Sequence, residues 1–249
     1  MFTSETLLKG ELPDVSVGIG RGTDAGNVER SVAAMSGHDV RVYSDPEALA
    51  EDLVRGRIDA AVRGDMSSSR LLPVLRSSLG LREIERAVFM EPTGGKLILA
   101  APVGIDEGWT VEQKHEMAVR SVVLMRRLGM GTRIAVMSGG RCEDYGRNPA
   151  VDATMRDALS LVEILVSEGY DAYHSQILIE SAVREADLII APDGITGNLI
   201  FRIMHFIGGA KALGAPVINT DKVFVDTSRV KTDYADSIAL AMKLTGGNI

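Results

Sequence analysis

Cysteine is almost absent from this chain. Cys142 stands alone, so no intrachain disulfide can form, which fits a reducing cytoplasm as the expected location. Long apolar runs are missing as well. Unbroken apolar stretches are short and strand-like, as at 97–102, and none approaches the roughly 20 residues that span a bilayer. The first 13 residues carry Glu5 and Glu11 and have no apolar core, so they do not read as a signal peptide. Positive charge is not in excess either. Lys and Arg number 27 against 34 Asp and Glu, a net charge of −7. That balance argues against a nucleic-acid partner, while a local basic site for a phosphate-bearing small molecule stays compatible with it. The four histidines, His38, His115, His174 and His205, show neither i, i+4 nor metal-finger spacing. No metal site and no Ser–His–Asp order is expected from them. Internal repeats, low-complexity tracts and clear linkers are also lacking.

What is present is an ordinary globular balance, 45% apolar and 24% charged over 249 residues. That length suits one large α/β domain or two lobes sharing a sheet. Short β-branched runs alternate with longer amphipathic segments. Strands are expected over 15–20, 39–44, 59–62, 133–138, 170–174 and 188–191, with short ones over 217–219 and 223–226. A hairpin is expected where Pro92-Thr93-Gly94-Gly95 joins 87–91 to 96–101. Asp45-Pro46 and Asn148-Pro149 open helices with a capping side chain before a first-turn proline. Thr110 with Gln113 forms a capping box for a helix ending at Gly129. A helix over 196–213 would place Leu199, Ile203, Ile207 and Ala210 on one stripe. A last helix is expected over 232–244. This alternation implies a largely parallel sheet covered by helices on both faces. The chain reads as a single unit over 1–249, with a lobe boundary, if any, near 104–108 or 129–131.

In such a sheet, ligands sit beyond the carboxyl ends of the strands. Five segments fall there: Gly20-Arg21-Gly22, the 63–69 loop, Ser138-Gly139-Gly140-Arg141, 192–198 and 226–229. Four of the five carry an arginine. Glycine lets backbone N–H groups approach an anion, and a guanidinium offers a bidentate fork. An anionic-ligand cleft is the expectation. The first of these, with Gly18 before it, follows a strand and precedes a helix. Its dinucleotide spacing fails at Thr23, and Ser16 stands where a methyltransferase usually has an acid. A tight strand-to-helix turn is the favoured reading over an S-adenosylmethionine site. In the loop around Cys142, Arg141 and Arg147 attract more interest than the thiol, with Asp144 as an alternative salt-bridge partner.

The segment 187–216 carries the clearest signature: a strand, Asp193-Gly194, then Thr196-Gly197-Asn198, a helix with Arg202 four after the asparagine, and Gly-Ala. It resembles the phosphate acetyl- and butyryltransferases and the PlsX phosphate acyltransferase. Other segments agree in the same order. DAAVRGDMSSSRLLP at 59–73 is similar to the family's Ser/Thr-rich anion loop. The 110–129 segment is similar to its T-x-E-Q helix, and 133–139 to its M-L-S strand. Gln176 to Ala182 is similar to L-Q-x-D-A-A, with Glu180 for the Asp. Val225-Asp226-Thr227-Ser228-Arg229 is similar to D-L-S-R. The loop Ser138-Gly139-Gly140-Arg141 with Asp144, Gly146 and Arg147, then Val151-Asp152 and Asp157-Ala158, most resembles the MtxX group, or methanogenesis marker protein 4, of methanogenic archaea. The chain departs from the acyltransferases in two ways. It is shorter, and Val230-Lys231 stands where they have Gly-Cys.

The resemblance implies an acyltransferase-like fold with two lobes sharing a cleft, similar to the isocitrate and isopropylmalate dehydrogenases. It implies transferase chemistry. Arg229 and Ser228 would contact an anion and an oxyanion. Asp233 or Asp236 would accept a proton from an attacking thiol. Arg63, Ser67, Ser68, Ser69, Ser138, Gly139, Gly140, Arg141 and Arg147 would hold phosphate, and Asp193, Thr196, Gly197 and Asn198 would shape the cleft. Asp193 and Asn198 serve equally well as helix caps. Coenzyme A or acyl phosphate is the implied ligand, S-adenosylmethionine or a pterin the alternative, and a non-catalytic metabolite sensor a third reading. A homodimer through the 195–207 and 110–128 helices is expected, along with a partner chain in a methyl-transfer complex.

Overall fold

The computed structural model describes residues 1–23 and 25–246. The chain divides into two compact units. The first is Met1–Ser4 with Glu85–Ala212, and the second is Glu5–Ile84 with Leu213–Ile249. Segments 104–108 and 129–131 both lie inside the first unit.

The second unit contains helix α1 (Ser4–Leu8) from its second residue on, and a sheet of β1 (Val17–Gly20), β2 (Val40–Tyr43), β3 (Ala60–Val62) and β10 (Val223–Asp226). These run in the order β2-β1-β3-β10, all parallel, and β9 (Lys211–Pro216) adds antiparallel to β10. The central strands β1 and β3 are buried throughout, as β-branched and small residues covered on both faces should be. The edge strand β2 is only half-buried and carries Arg41, a charge that discourages further strand pairing. Strand alternation aims Gly18 at α3 (Pro46–Val54). A side chain at Gly18 would run into Ile58 and Leu49, so glycine lets α3 lie close on the sheet. With α4 (Ser68–Ser78), that face closes over Leu49, Leu53, Leu71, Leu75 and Phe224. Helices α2 (Ala25–Ala34) and α9 (Ala235–Thr245) pack on each other, and α9 lies along β1, β3 and β10.

The first unit holds β4 (Val88–Glu91) and β5 (Ile98–Ala101) as the expected antiparallel hairpin. From β5 the sheet continues in parallel through β8 (Leu188–Ile190), β6 (Ile134–Met137) and the edge strand β7 (Ala172–Gln176). Helix α5 (Val111–Arg127) starts at the capping box, with Thr110 and Gln113 bonded reciprocally. Helix α6 (Pro149–Ser167) starts at Asn148, whose side chain accepts the Ala150 amide at 2.8 Å. Helices α5 and α6 pack side by side, while α7 (Ile179–Glu185) and α8 (Gly194–Arg202) contact β6, β7 and β5.

One expected helix is wrong in its second half. α8 ends at Arg202 and gives way to a π-helical turn, Ile203–Ile207, and then to β9. Gly208 and Gly209 break the helix, with Gly209 at φ +70°. Ala212, Leu213 and Ala215 then bury in a strand, so tertiary burial overrides the helix preference of Ala, Lys and Leu. The stripe is correspondingly not a core stripe. Leu199, Ile203 and Ile207 are 55%, 56% and 82% exposed, and only Ala210 is buried.

Candidate functional site

Because β1, β2, β3 and β10 run parallel, their carboxyl ends share one edge of the second unit's sheet. Arg63 leaves β3 and buries. Its Nε donates to Asp226 at the end of β10, and its Nη1 donates to the Met66 carbonyl at 2.9 Å. The Thr227 amide donates to the same Asp226 oxygen at 2.8 Å, and the Thr227 hydroxyl donates to the Gly64 carbonyl at 2.7 Å. This latch ties the β3 and β10 loops together, and it occupies the guanidinium that the sequence offers as a phosphate ligand. Above the latch, Ser67 stands at the cap position of α4 but makes no side-chain cap bond. Its hydroxyl lies 2.9 Å from that of Ser69. Ser68 makes no side-chain hydrogen bond among the described residues. Ser228 follows the latch, with its Oγ accepting the Val230 amide at 3.4 Å and its carbonyl accepting the Tyr234 hydroxyl at 3.3 Å. Arg229 is exposed and makes no hydrogen bond or ion pair among the described residues. Asp233 stands one residue before Tyr234, the cap position of α9, and accepts the Ala235 amide at 2.8 Å, while Asp236 sits in that helix's first turn.

The glycine turn on the same edge is filled by protein. A methyl at Gly20 would meet the Arg63 carbonyl at 2.5 Å, and one at Gly22 would meet that of Asp65 at 2.5 Å. The Gly22 amide donates to Asp65 at 2.6 Å, and Arg21 is held by Ser44 and Glu29. These glycines admit the β3 loop, so the residues do not fit a cofactor cradled there.

In the first unit the ends of β5, β8, β6 and β7 share an edge for the same reason. Ser138 is buried. Its hydroxyl donates to the Gly140 carbonyl at 3.0 Å and lies 2.8 Å from His174 Nε2. With the serine proton on Gly140, the imidazole must donate from Nε2. Burial pushes the His174 pKa down, which favours this neutral form. The Gly139 amide donates to Thr154 at 2.8 Å. Arg147 folds back onto Asp144, and the Arg141 amide donates to the same carboxylate at 2.9 Å. Those contacts, the Arg141 amide first, hold the Asp144 carboxyl below its usual range. The side chains of Arg141 and Arg147 are exposed.

Asp193 accepts the Thr196 amide at 2.8 Å and so caps α8. Gly194 and Gly197 face the Gly104 and Pro102 carbonyls so closely that a methyl on either would strike them. Asn198 donates to the Val103 carbonyl at 2.8 Å. The signature Gly-Asn therefore docks α8 on the loop after β5. Two buried charges missed by the sequence reading hold this edge. Glu107 accepts from Arg86 Nε at 2.6 Å and from the Gly104 amide at 3.1 Å, and burial raises its pKa. Lys114 Nζ donates to the Pro192 carbonyl at 3.1 Å and to Asp157 at 3.2 Å. Lys114 had a signal, since it lies one turn beyond Thr110 in a capped helix. Glu107 had none, since its burial depends on Arg86, which is 21 residues away.

Among the described residues no group of His, Cys, Asp or Glu could hold a metal ion. No described helix is long and apolar enough to cross a membrane.

No family model matches the chain. Curated relatives do. The chain is 43% identical over 211 residues to "Putative methyltransferase mtx subunit X" of Methanosarcina mazei, covering 84% of this chain and 75% of that one. It is 39% identical over 218 residues to an uncharacterized methyltransferase of Methanopyrus kandleri, covering 84% of each. Among solved structures, a branched-chain phosphotransacylase from Enterococcus faecalis superposes with TM-score 0.70 at 14% identity, over 94% of this chain and all of the other. A 4-hydroxythreonine-4-phosphate dehydrogenase from Klebsiella pneumoniae superposes with TM-score 0.61 at 9% identity, over 95% and 99%. These likenesses establish the fold as the one the phosphotransacylases use.

Proposed function

The chain belongs to the family of the mtx subunit X proteins, and from that premise we propose that it binds a small phosphate-bearing or acyl-phosphate ligand in a group-transfer role. The observation that carries this reading is the division of labour at the end of β3 and β10. Arg63 and Asp226 neutralise each other in the latch, while Arg229 and the hydroxyls of Ser67, Ser68 and Ser69 remain at the surface beside it. The start of α4 adds unbonded N–H groups and positive potential. In this reading Arg229 holds the anion and Ser228 steadies an oxyanion. An aspartate at the start of α9, Asp233 or Asp236, accepts the proton of the attacking group.

The test is calorimetric titration with inorganic phosphate and acetyl phosphate. Losing a charge-assisted contact from Arg229→Ala costs about 1.5–3 kcal/mol, which weakens binding roughly tenfold to a hundredfold. Arg21→Ala should change little, because Arg21 serves Glu29 and Ser44. Absence of binding, or an equal loss in both variants, refutes the reading.

The relatives' names favour a second reading, a subunit of a methyl-transfer system. S-adenosylmethionine carried on the Gly18–Gly22 turn is not supported by the packing there. In this reading the methyl donor and the reacting centre belong to partner chains. Heat on titration with S-adenosylmethionine, lost in a Gly22→Ala variant, would reverse that judgement.

We also propose that α8 pairs with a second copy of the chain. Ile195, Leu199, Ile203, Phe206 and Ile207 lie exposed along α8 and the π turn, more clustered apolar side chains than a monomer ordinarily shows to water. Light scattering at micromolar concentration should give a dimer mass, and Ile203→Asp a monomer.

A further inference from the structure

The geometry points to a second ligand site in the first unit, for a small zwitterion with an apolar body, such as an apolar α-amino acid. An open cavity of about 540 Å³ lies between Met1, the 92–96 turn, one face of α7 and Met204 of the π turn. That volume falls in the range of small-molecule sites. The turn lies where β5 begins, whereas the candidate residues of this unit follow the strands' ends.

The cavity wall is apolar at Ile179, Val183 and Met204 and charged at Glu180 and Arg184. Glu180 and Arg184 stand at i and i+4 on α7, the spacing at which a helix ordinarily pairs an acid with a base. Here neither makes a hydrogen bond or ion pair among the described residues. The other charged side chain on the wall, Lys96, is bound to Asp187 at 2.7 Å. The cavity's side chains therefore offer one free carboxylate and one free guanidinium over an apolar surface. A carboxylic acid alone would meet Glu180 unfavourably, and an amine alone would meet Arg184 the same way. A molecule with an ammonium, a carboxylate and a branched or thioether side chain satisfies all three surfaces at once.

This site stands independently of the anion site on the second unit. Calorimetric titration of the full chain with L-leucine tests it, against 4-methylpentanoate, which lacks the ammonium, and isoamylamine, which lacks the carboxylate. Leucine should bind, and each analogue should bind about tenfold more weakly or worse. Glu180→Gln and Arg184→Gln should each weaken leucine binding about fivefold or more at an unchanged melting temperature. Arg229→Ala should leave leucine binding as it is, which separates this result from any failure of the phosphate reading. Lack of heat with leucine up to about 10 mM overturns the proposal, as do equal affinities for the three compounds. Indifference of both variants does the same.

Discussion

At the end of β8, Asp193 accepts the amide of Thr196 and closes the start of α8. At the end of β3, Ser67 holds the corresponding position before α4, and its side chain accepts no backbone amide from it. The contrast runs through both edges. Around α8, Glu107, Lys114 and Asn198 each satisfy a backbone group of the neighbouring loops, and two glycines bring backbone against backbone. Around α4, the buried charges cancel beneath the surface, while the hydroxyls and Arg229 face outward. A strand end whose polar groups are all spent on the chain is scaffold. One that keeps donors in reserve has something left to give a ligand. Similar signatures in sequence thus end with different hydrogen bonding, and only the accounting of donors and acceptors separates them.

The comparison breaks first at Glu107. Glu107→Ala removes the buried carboxylate that accepts from Arg86 and from the Gly104 amide, and should lower the free energy of unfolding by about 3–5 kcal/mol. Chemical denaturation reads this directly, and Arg229→Ala in the same assay should change nothing measurable. Next comes Gly197→Ala, whose methyl strikes the Pro102 carbonyl. Overpacking of this kind costs about 1–3 kcal/mol, so a wild-type midpoint would show that α8 does not dock as described.

A smaller effect sharpens the cap contrast. Asp193→Ala should cost about 1 kcal/mol, whereas Ser67→Ala, with no cap bond to lose, should stay within about 0.5 kcal/mol of the parent. Equal losses would place both serine and aspartate in the scaffold. The smallest effect is in pH. His174 is held neutral, its pKa below the free value of 6.5. The unfolded chain therefore takes up this proton first as pH falls, and stability declines below about 6.5. His174→Asn should flatten that decline, and an unaltered slope between pH 5 and 7 would mean that the imidazole titrates freely.

Local chemistry was legible in the sequence. The caps at Asp45, Thr110 and Asn148, the hairpin at Pro92-Thr93-Gly94-Gly95 and the alternation that makes a mostly parallel sheet depend on neighbours a few residues apart. The strand β9 was not legible at its start, because Lys211-Ala212-Leu213 favours a helix until burial beside β10 decides otherwise. For the candidate site, residue types were readable and engagement was not. Nothing local distinguishes Arg63, locked to a partner 163 residues away, from Arg229, which is left without one among the described residues. Asp193 and Asn198 could be read as caps or as ligands. Asp193 takes up the cap, and Asn198 is spent on a neighbouring loop.

The π turn at Ile203–Ile207 sets the phase of the strand after it. Its closing bond runs from the Gly208 amide to the Ile203 carbonyl, five residues back, so it carries one residue more than an α turn would. The chain then enters β9, where side chains alternate sides, and Leu213 and Gly214 face opposite ways. The Gly214 position has no room for a side chain, because Val225 already stands there. Dropping a single residue from the turn would draw β9 back by one place, setting Ala215 against Val225 and leaving Gly214 where the buried Leu213 stood. The extra residue works as a spacer whose length is dictated by the next strand, and insertions or deletions in this short stretch should be far less tolerated than substitutions of the exposed side chains it displays.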